Sequence, residues 1–352
     1  MSADQRFYVG TYTRGDSISK GVWMSSFNAE TGAMAAPVLA AECDSPSFLA
    51  FHASGNYLYV CNETNDYGNQ PTGSVTAYRV NRSNGQLTEI NQRSSAGGVP
   101  CHLNVDATGK FLLVANYTGG NVVVFPLAAD GALEEPSCVI NHIGSGPNAE
   151  RQEQPHVHSV NLSADNRFAY VADLGIDRVM IYRFDAQRGL LAPGSIDAVA
   201  VAAGGGPRHF CIHPNHRFAW TNHELTAEVS TFDIDTKTGG LTLKQTLSTL
   251  PGDVGDNVRR STSECLCHPN GRFVYVSNRG HESIAVFAVE QTNGTLKLVE
   301  ITQTGGAEPR NFCFDPSGKW MLVENQNSDS VITFRVDPET GRLQQTDQRI
   351  KV

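Results

Sequence analysis

Apolar and polar residues alternate along this chain in short bursts, and the bursts return as a set. Seven strongly apolar segments (FYVGTY, LYVCNE, LLVANY, AYVADL, AWTNHE, VYVSNR and MLVENQ) are each followed by an alternating one: GVWMSSF, GSVTAYRV, GNVVVFPL, DRVMIYRF, AEVSTFDI, ESIAVFAV and DSVITFRV. Period-two alternation over so few residues predicts strands with one face buried. After each alternating segment comes a Gly-x-Leu turn, once Gly-x-Met, at Gly32, Gly85, Gly131, Gly189, Gly239, Gly294 and Gly341. Their spacing of about 50 residues is that of a propeller blade.

One whole unit reads HVHSVNLS, turn, FAYVADL, connection, VMIYRFD, turn, LLAPGSIDAVAV. These are four strands, A to D, in an antiparallel meander. The A–B turns are explicit in HPNHRF, HPNGRF, DPSGKW, DATGKF and HASGNY, where Pro, Asn, Ser and Gly supply the backbone angles. His52, His213 and His268 inside them are expected to serve turns and blade packing. The chain is therefore expected to be all-β, a seven-bladed β-propeller of four-stranded antiparallel blades, forming a single domain over 1–352. Strands B, C and D occur seven times but A only six, and LQQTDQRIKV stands where another A falls due. The first blade is thus expected to lack its inner strand.

In a meander the start of A and the end of B lie on the same side of the disc, both near its axis. Those positions are expected to converge on one mouth of the channel. The B ends repeat an Asx residue (Asn62, Asn116, Asp173, Asn278, Asn325), which reads as a reused strand-ending motif. The next position does not repeat: Tyr12, Glu63, Tyr117, Leu174, Glu224, Arg279, Gln326. The A starts add Cys101-His102, His156, His158, Arg208-His209, Glu264 and Arg310-Asn311. Charge that breaks a structural symmetry at a channel mouth marks a candidate site.

Composition narrows the partners. The 352 residues carry a formal charge of −9, are 40% hydrophobic and 18% charged, as an ordinary globular chain should be. That charge argues against a nucleic-acid or anionic-membrane surface. The opening MSADQRFYVGTYT has neither a basic nor an apolar leader segment, and no run approaches a membrane span, so a cytoplasmic location is expected. The eight cysteines sit mostly within strand patterns and read as buried thiols of a reducing compartment. Cys265-x-Cys267 has no second ligand pair at zinc-site spacing and reads as core.

Arginines, histidines and a carboxylate together make an anion pocket with acid–base capacity. Arg208, Arg279 and Arg310 suit a phosphate or carboxylate and a developing oxyanion. Glu224 is the candidate base for a water, and His158 the proton carrier; a plain Arg208–Glu224 salt bridge is the structural alternative. No GxSxG elbow and no phosphate-binding glycine loop occur.

The run AAGGGPRHFCIHPNHRFAWTNHE, preceded by QPHVHSVNLSADNRFAYVAD and followed by HPNGRFVYVSNRGHESIAVF, resembles the lactonase family of seven-bladed propellers. That family includes cycloisomerase-2 type bacterial 6-phosphogluconolactonases and the fungal 3-carboxy-cis,cis-muconate lactonising enzyme. The loop GSGPNAERQEQPHVHS is similar to the family's segment leading into its histidine. The resemblance covers nearly the whole chain and implies a metal-free site on His158, Arg208, Glu224 and Arg279, with Arg310 also matching a recurrent family position and His209 as neighbour. It implies no cofactor and a small anionic sugar lactone, foremost 6-phosphoglucono-δ-lactone of the pentose phosphate pathway. His156, Asn116 and Asp173 are expected to help bind it.

Three other readings stand beside this one. A muconate cycloisomerase would use the same anion clamps and proton carrier. A metal-dependent lactonase would draw ligands from Asn62, Glu63, Asn116, Asp173 and Asn278, though neighbouring arginines repel a cation. A non-catalytic propeller scaffold has little use for Arg, His and Glu at one mouth, and the Gly-His and Trp-Asp repeat signatures are absent. Arg259-Arg260, in the loop 252–263, is expected to be a solvated pair unless it serves a phosphate.

Overall fold

A computed structural model describes residues 4–352. They form seven antiparallel sheets, each a meander whose strands neighbour one another in chain order. The first sheet has three strands, Asp4–Val9, Gly21–Asn28 and Val38–Glu42, and the other six have four. The seven-bladed β-propeller class expected from the repeat is the fold observed, including the first blade without an inner strand. The unit read from mid-sequence appears as Val157–Leu162, Phe168–Asp173, Arg178–Asp185 and Leu190–Ala200.

The chain divides into two compact units. One holds Tyr8–Met24 and Val38–Ala198, with the second, third and fourth blades; the other holds the chain up to Phe7, Ser25–Pro37 and Val199–Val352, with the fifth, sixth and seventh. Within each unit the core is a series of apolar slabs between successive sheets. Tyr59, Cys61 and Val75 of the second blade pack on Leu103, Leu112 and Val114 of the third. In the other unit Phe218, Trp220 and Val229 of the fifth pack on Val274, Val276 and Phe287 of the sixth. Alternation along each strand delivers these residues to one face, and burying them is the main force holding blade to blade. The first strands of successive blades also lie side by side within each unit.

The repeated glycines have a common reason. All seven adopt positive φ, between 65° and 89°, where a Cβ is strained. Gly294 and Gly341 are also pressed against Phe218 and Phe273 of the preceding blade, leaving no room for a methyl. The turn histidines act as the sequence suggested. His213 Nδ1 accepts from the Asn215 amide, so Nε2–H donates to the Gly271 carbonyl of the next blade, at 2.9 Å. His268 makes the same pair of bonds toward Gly318, and His52 toward Gly109.

One regular feature has no signature in the residue pattern. The first strand of every four-stranded blade carries a β-bulge just after its start. It falls around Ser47, Cys101, His158, Arg208-His209, Ser263-Glu264 and Arg310. A bulge inserts one residue, bends the strand and re-aims side chains. Four of the candidate residues, His158, Arg208, His209 and Arg310, sit on these bulges.

Candidate active site

Arg208, Glu224 and Arg279 meet in the unit built from the fifth to seventh blades. Arg208 lies on the bulge of Pro207–Ile212. Glu224 follows the end of Phe218–His223, its amide held by the Gly206 carbonyl at 2.8 Å. Arg279 ends Phe273–Arg279 directly opposite Ser261. All three are buried, at 3%, 5% and 7% exposure. A single oxygen, Glu224 Oε2, accepts from Arg208 Nε at 2.9 Å and faces Arg279 Nη2 at 3.3 Å. The Arg208–Glu224 salt bridge weighed from sequence is therefore present, with a second arginine on the same oxygen.

The arginines are also tied to the backbone. Arg208 Nη1 donates to the Ser263 carbonyl and Arg279 Nη2 to the Thr262 carbonyl, at 2.9 and 2.8 Å. Arg279 Nε is buried and has no acceptor among the described residues. Burial pushes the Arg279 pKa down to about 10; Glu224 opposes that, while Arg208 and Arg310 add to it. The group stays charged at neutral pH, and its unused N–H is a strong donor in a poorly solvated place.

His209 orients this set. Its Nε2 lies 3.1 Å from Arg208 Nη1 and its Nδ1 2.7 Å from Glu264 Oε1. A guanidinium only donates, so Nε2 accepts and the ring proton sits on Nδ1, bonded to Glu264. Glu264 Oε2 in turn accepts from Asn311 Nδ2 at 3.0 Å. Burial, partly offset by Glu264, holds the His209 pKa below its ordinary value, and Arg208 and Arg310 lower it further. Arg310 is thus within electrostatic reach of both His209 and Arg279, and its carbonyl accepts from Ser263 Oγ at 2.6 Å.

Glu308, which no repeat pattern pointed to, extends the ion-pair chain. Its Oε1 lies 3.9 Å from Arg279 Nη1, and its Oε2 pairs with Arg259. Both residues come from connections between strands, where there is no periodicity to read.

The other unit gathers the remaining candidates. Tyr117 stacks on His156 with ring centroids 4.4 Å apart and meets His158 edge-on at 5.6 Å. His158 Nδ1 lies 3.7 Å from Cys101 Sγ. Arg151, from the loop before His156, donates to the Tyr117 hydroxyl at 3.1 Å; sequence reasoning passed over it for want of a pattern in that loop. Asp173 is fully buried. Its Oδ1 accepts from the His156 and Gly175 amides and its Oδ2 pairs with His142 Nδ1 at 2.6 Å. Asn116 donates to the Ser95 carbonyl and to Asn121.

The oxygen-rich ring considered for a metal is likewise engaged with strand ends. Asn62 donates to the Asp44 carbonyl and accepts from Thr76, and Asn278 holds Thr249 through both its atoms. Among the described residues no three His, Cys, Asp or Glu side chains are grouped as a metal would need. All eight cysteines are free thiols. Cys265 is packed in the slab between the fifth and sixth blades, as core. No helix among the described residues is long and apolar enough to cross a membrane.

Comparison with known proteins places this geometry in context. The family model described as lactonase, 7-bladed β-propeller, matches residues 6–352. A 6-phosphogluconolactonase of Bacillus subtilis is 38% identical over 309 residues, covering 88% of this chain and 84% of that protein. A 6-phosphogluconolactonase of Formosa agariphila is 33% identical over 352 residues, covering 98% and 96%. Among solved structures, the periplasmic gluconolactonase of Pseudomonas aeruginosa superposes with a TM-score of 0.92 at 33% identity, over 99% of this chain and 96% of that one.

Proposed function

The chain belongs to the lactonase family of seven-bladed β-propellers, and from that membership we propose that it hydrolyses a sugar lactone without a metal, with 6-phosphoglucono-δ-lactone as substrate. Relatives named 6-phosphogluconolactonase, matched over most of their length, support the substrate. The observation that carries the mechanism is Arg279: a buried guanidinium whose Nε–H lacks an acceptor among the described residues, beside a carboxylate oxygen shared with Arg208.

In this reading a water attacks the lactone carbonyl carbon while Glu224 takes its proton. The carbonyl oxygen gains charge as the tetrahedral centre forms, and Arg279 Nε–H donates to it. Donors fixed in advance and shielded from water are worth far more to such an oxyanion than solvent would be. Arg208, held by Ser263 and His209, keeps Glu224 in place. As the ring C–O bond breaks, the proton passes to the departing ring oxygen, giving the open hydroxy acid.

The test is proton release from freshly prepared 6-phosphoglucono-δ-lactone in excess EDTA, against spontaneous hydrolysis. Wild type is expected to run well above background, and Glu224→Gln to lose about 10²–10⁴ of the rate, the span typical of a positioned base. Wild-type activity that disappears in EDTA and returns with Ca²⁺ or Zn²⁺ overturns the metal-free mechanism. No activity on the lactone under either condition overturns the substrate.

A further inference from the structure

The relatives divide on one chemical point: some are named for a phosphorylated lactone and one for the unphosphorylated sugar. In this chain the charges around Arg279 bear on that point. From Glu224 outward the ion pairs run Glu224–Arg279, Arg279–Glu308, Glu308–Arg259. Side-chain exposure rises along them, from 6% at Glu224 through 8% and 12% to 56% at Arg259. The chain of charges begins at the buried carboxylate and ends in solvent on a guanidinium.

We propose that Arg259, with Arg260 beside it, is the phosphate handle of the substrate site and makes this protein selective for a lactone carrying a phosphate. The inference rests on the lactonase reading above. Arg208 and Arg279 are poorly suited to that task. Both are buried and committed to Glu224 and to backbone carbonyls, and moving a phosphate dianion there would strip its hydration. Arg259 differs on each count. It is half exposed, and Glu308, its one carboxylate partner among the described residues, is itself shared with Arg279. Glu308 is largely buried but keeps Arg279 as a cationic neighbour at 3.9 Å, so a phosphate that takes Arg259 from it does not leave its charge unpaired. Arginine's planar fork also suits phosphate bidentately.

The backbone positions the handle. Ser261 pairs directly with Arg279, so Arg259 and Arg260 stand just beyond the end of that ladder. The Arg259 carbonyl packs so closely over Gly280 that a Cβ there would sit 2.7 Å from it. Arg260 is exposed and makes no hydrogen bond or ion pair among the described residues. The same loop carries Asp253 and Asp256, both exposed, which offset the long-range field but leave the local fork intact.

The experiment pairs turnover with direct binding. Calorimetry with 6-phosphogluconate and with gluconate needs no lactonase activity, so it reads the handle even if the hydrolytic reading fails. Wild type is expected to bind 6-phosphogluconate at least tenfold more tightly than gluconate. Arg259→Ala should remove most of that preference, Arg259→Lys part of it, and Arg272→Ala, an exposed arginine paired with Glu339, none. In turnover, Arg259→Ala should raise KM for the phosphorylated lactone about tenfold with kcat nearly held. Equal wild-type affinity for the two acids overturns the inference, as does a preference that survives in Arg259→Ala. An equal loss with both ligands overturns it too, since that is the signature of a disturbed Glu308–Arg279 pair.

Discussion

The Arg208 guanidinium meets three partners at once: Glu224 Oε2, the Ser263 carbonyl and His209 Nε2. The last of these gives the residue scale a pH dependence. A doubly protonated His209 cannot accept from Arg208, and burial already holds its pKa down. The unfolded chain takes up this proton below about pH 6.5, whereas the folded protein resists it. His209 therefore contributes stability above that pH and loses it as pH falls, by at most about 1.4 kcal/mol per pH unit. His213, whose Nδ1 accepts from the Asn215 amide, is depressed by burial in the same direction. The urea midpoint should fall between about pH 7.5 and pH 5.5, and His209→Asn should flatten that slope whatever it does to the midpoint itself. An unchanged slope assigns the acid sensitivity elsewhere. Arg208, Glu224 and Arg279 were legible in the sequence because they break a strict repeat. Glu308 and Arg259 were not read as a pair because no period relates two loop residues 49 positions apart.

Alternation correctly named nearly every strand, since the side of a sheet a residue faces is a local property. It missed the bulges. One inserted residue near the start of each inner strand shifts everything before it relative to the B strand, and Arg208, Ser263 and Arg310 lie within these irregularities. The glycine turns are the opposite case, where one residue type announces the element. Gly294 has φ 73°, lies against Phe218 and accepts from Trp220 Nε1 at 3.2 Å. Gly294→Ala is expected to destabilise by about 2–3 kcal/mol, from left-handed backbone strain plus overpacking. Denaturant titration checks this, and activity per folded molecule should hold because Phe218, on which the turn packs, and Glu224 stand at opposite ends of strand Phe218–His223. A change under 0.5 kcal/mol would mean the turn readjusts freely.

At the scale of the whole molecule, chain ends are joined through Trp320. Its ring meets Phe27 edge-on at 5.9 Å, its Nε1 donates to the Ala29 carbonyl at 2.9 Å, and it lies against Gly32. Trp320→Ala should cost about 3–5 kcal/mol, as large aromatic truncations do. Trp320→Phe, which loses the hydrogen bond and part of the ring, should lose less; equal midpoints for wild type and Trp320→Ala in urea would refute this role. Asn222 of the fifth blade donates to the Ser263 carbonyl of the next inner strand, and Glu324 stands at the matching position of the seventh. Burial, with Glu264 nearby, pushes its pKa up to about 7. Seven repeats, their strands and the glycine turns followed from sequence, and so did the choice of Arg208, Glu224 and Arg279 as candidates, because periodicity and turn chemistry act over a few residues. Tertiary structure alone decided that one Glu224 oxygen faces both arginines, that Arg279 Nε is left without an acceptor among the described residues, and that Glu308 and Arg259 carry the charges outward. Those relations depend on cross-strand register and bulges, which bring together residues far apart in the chain and leave no local trace in it.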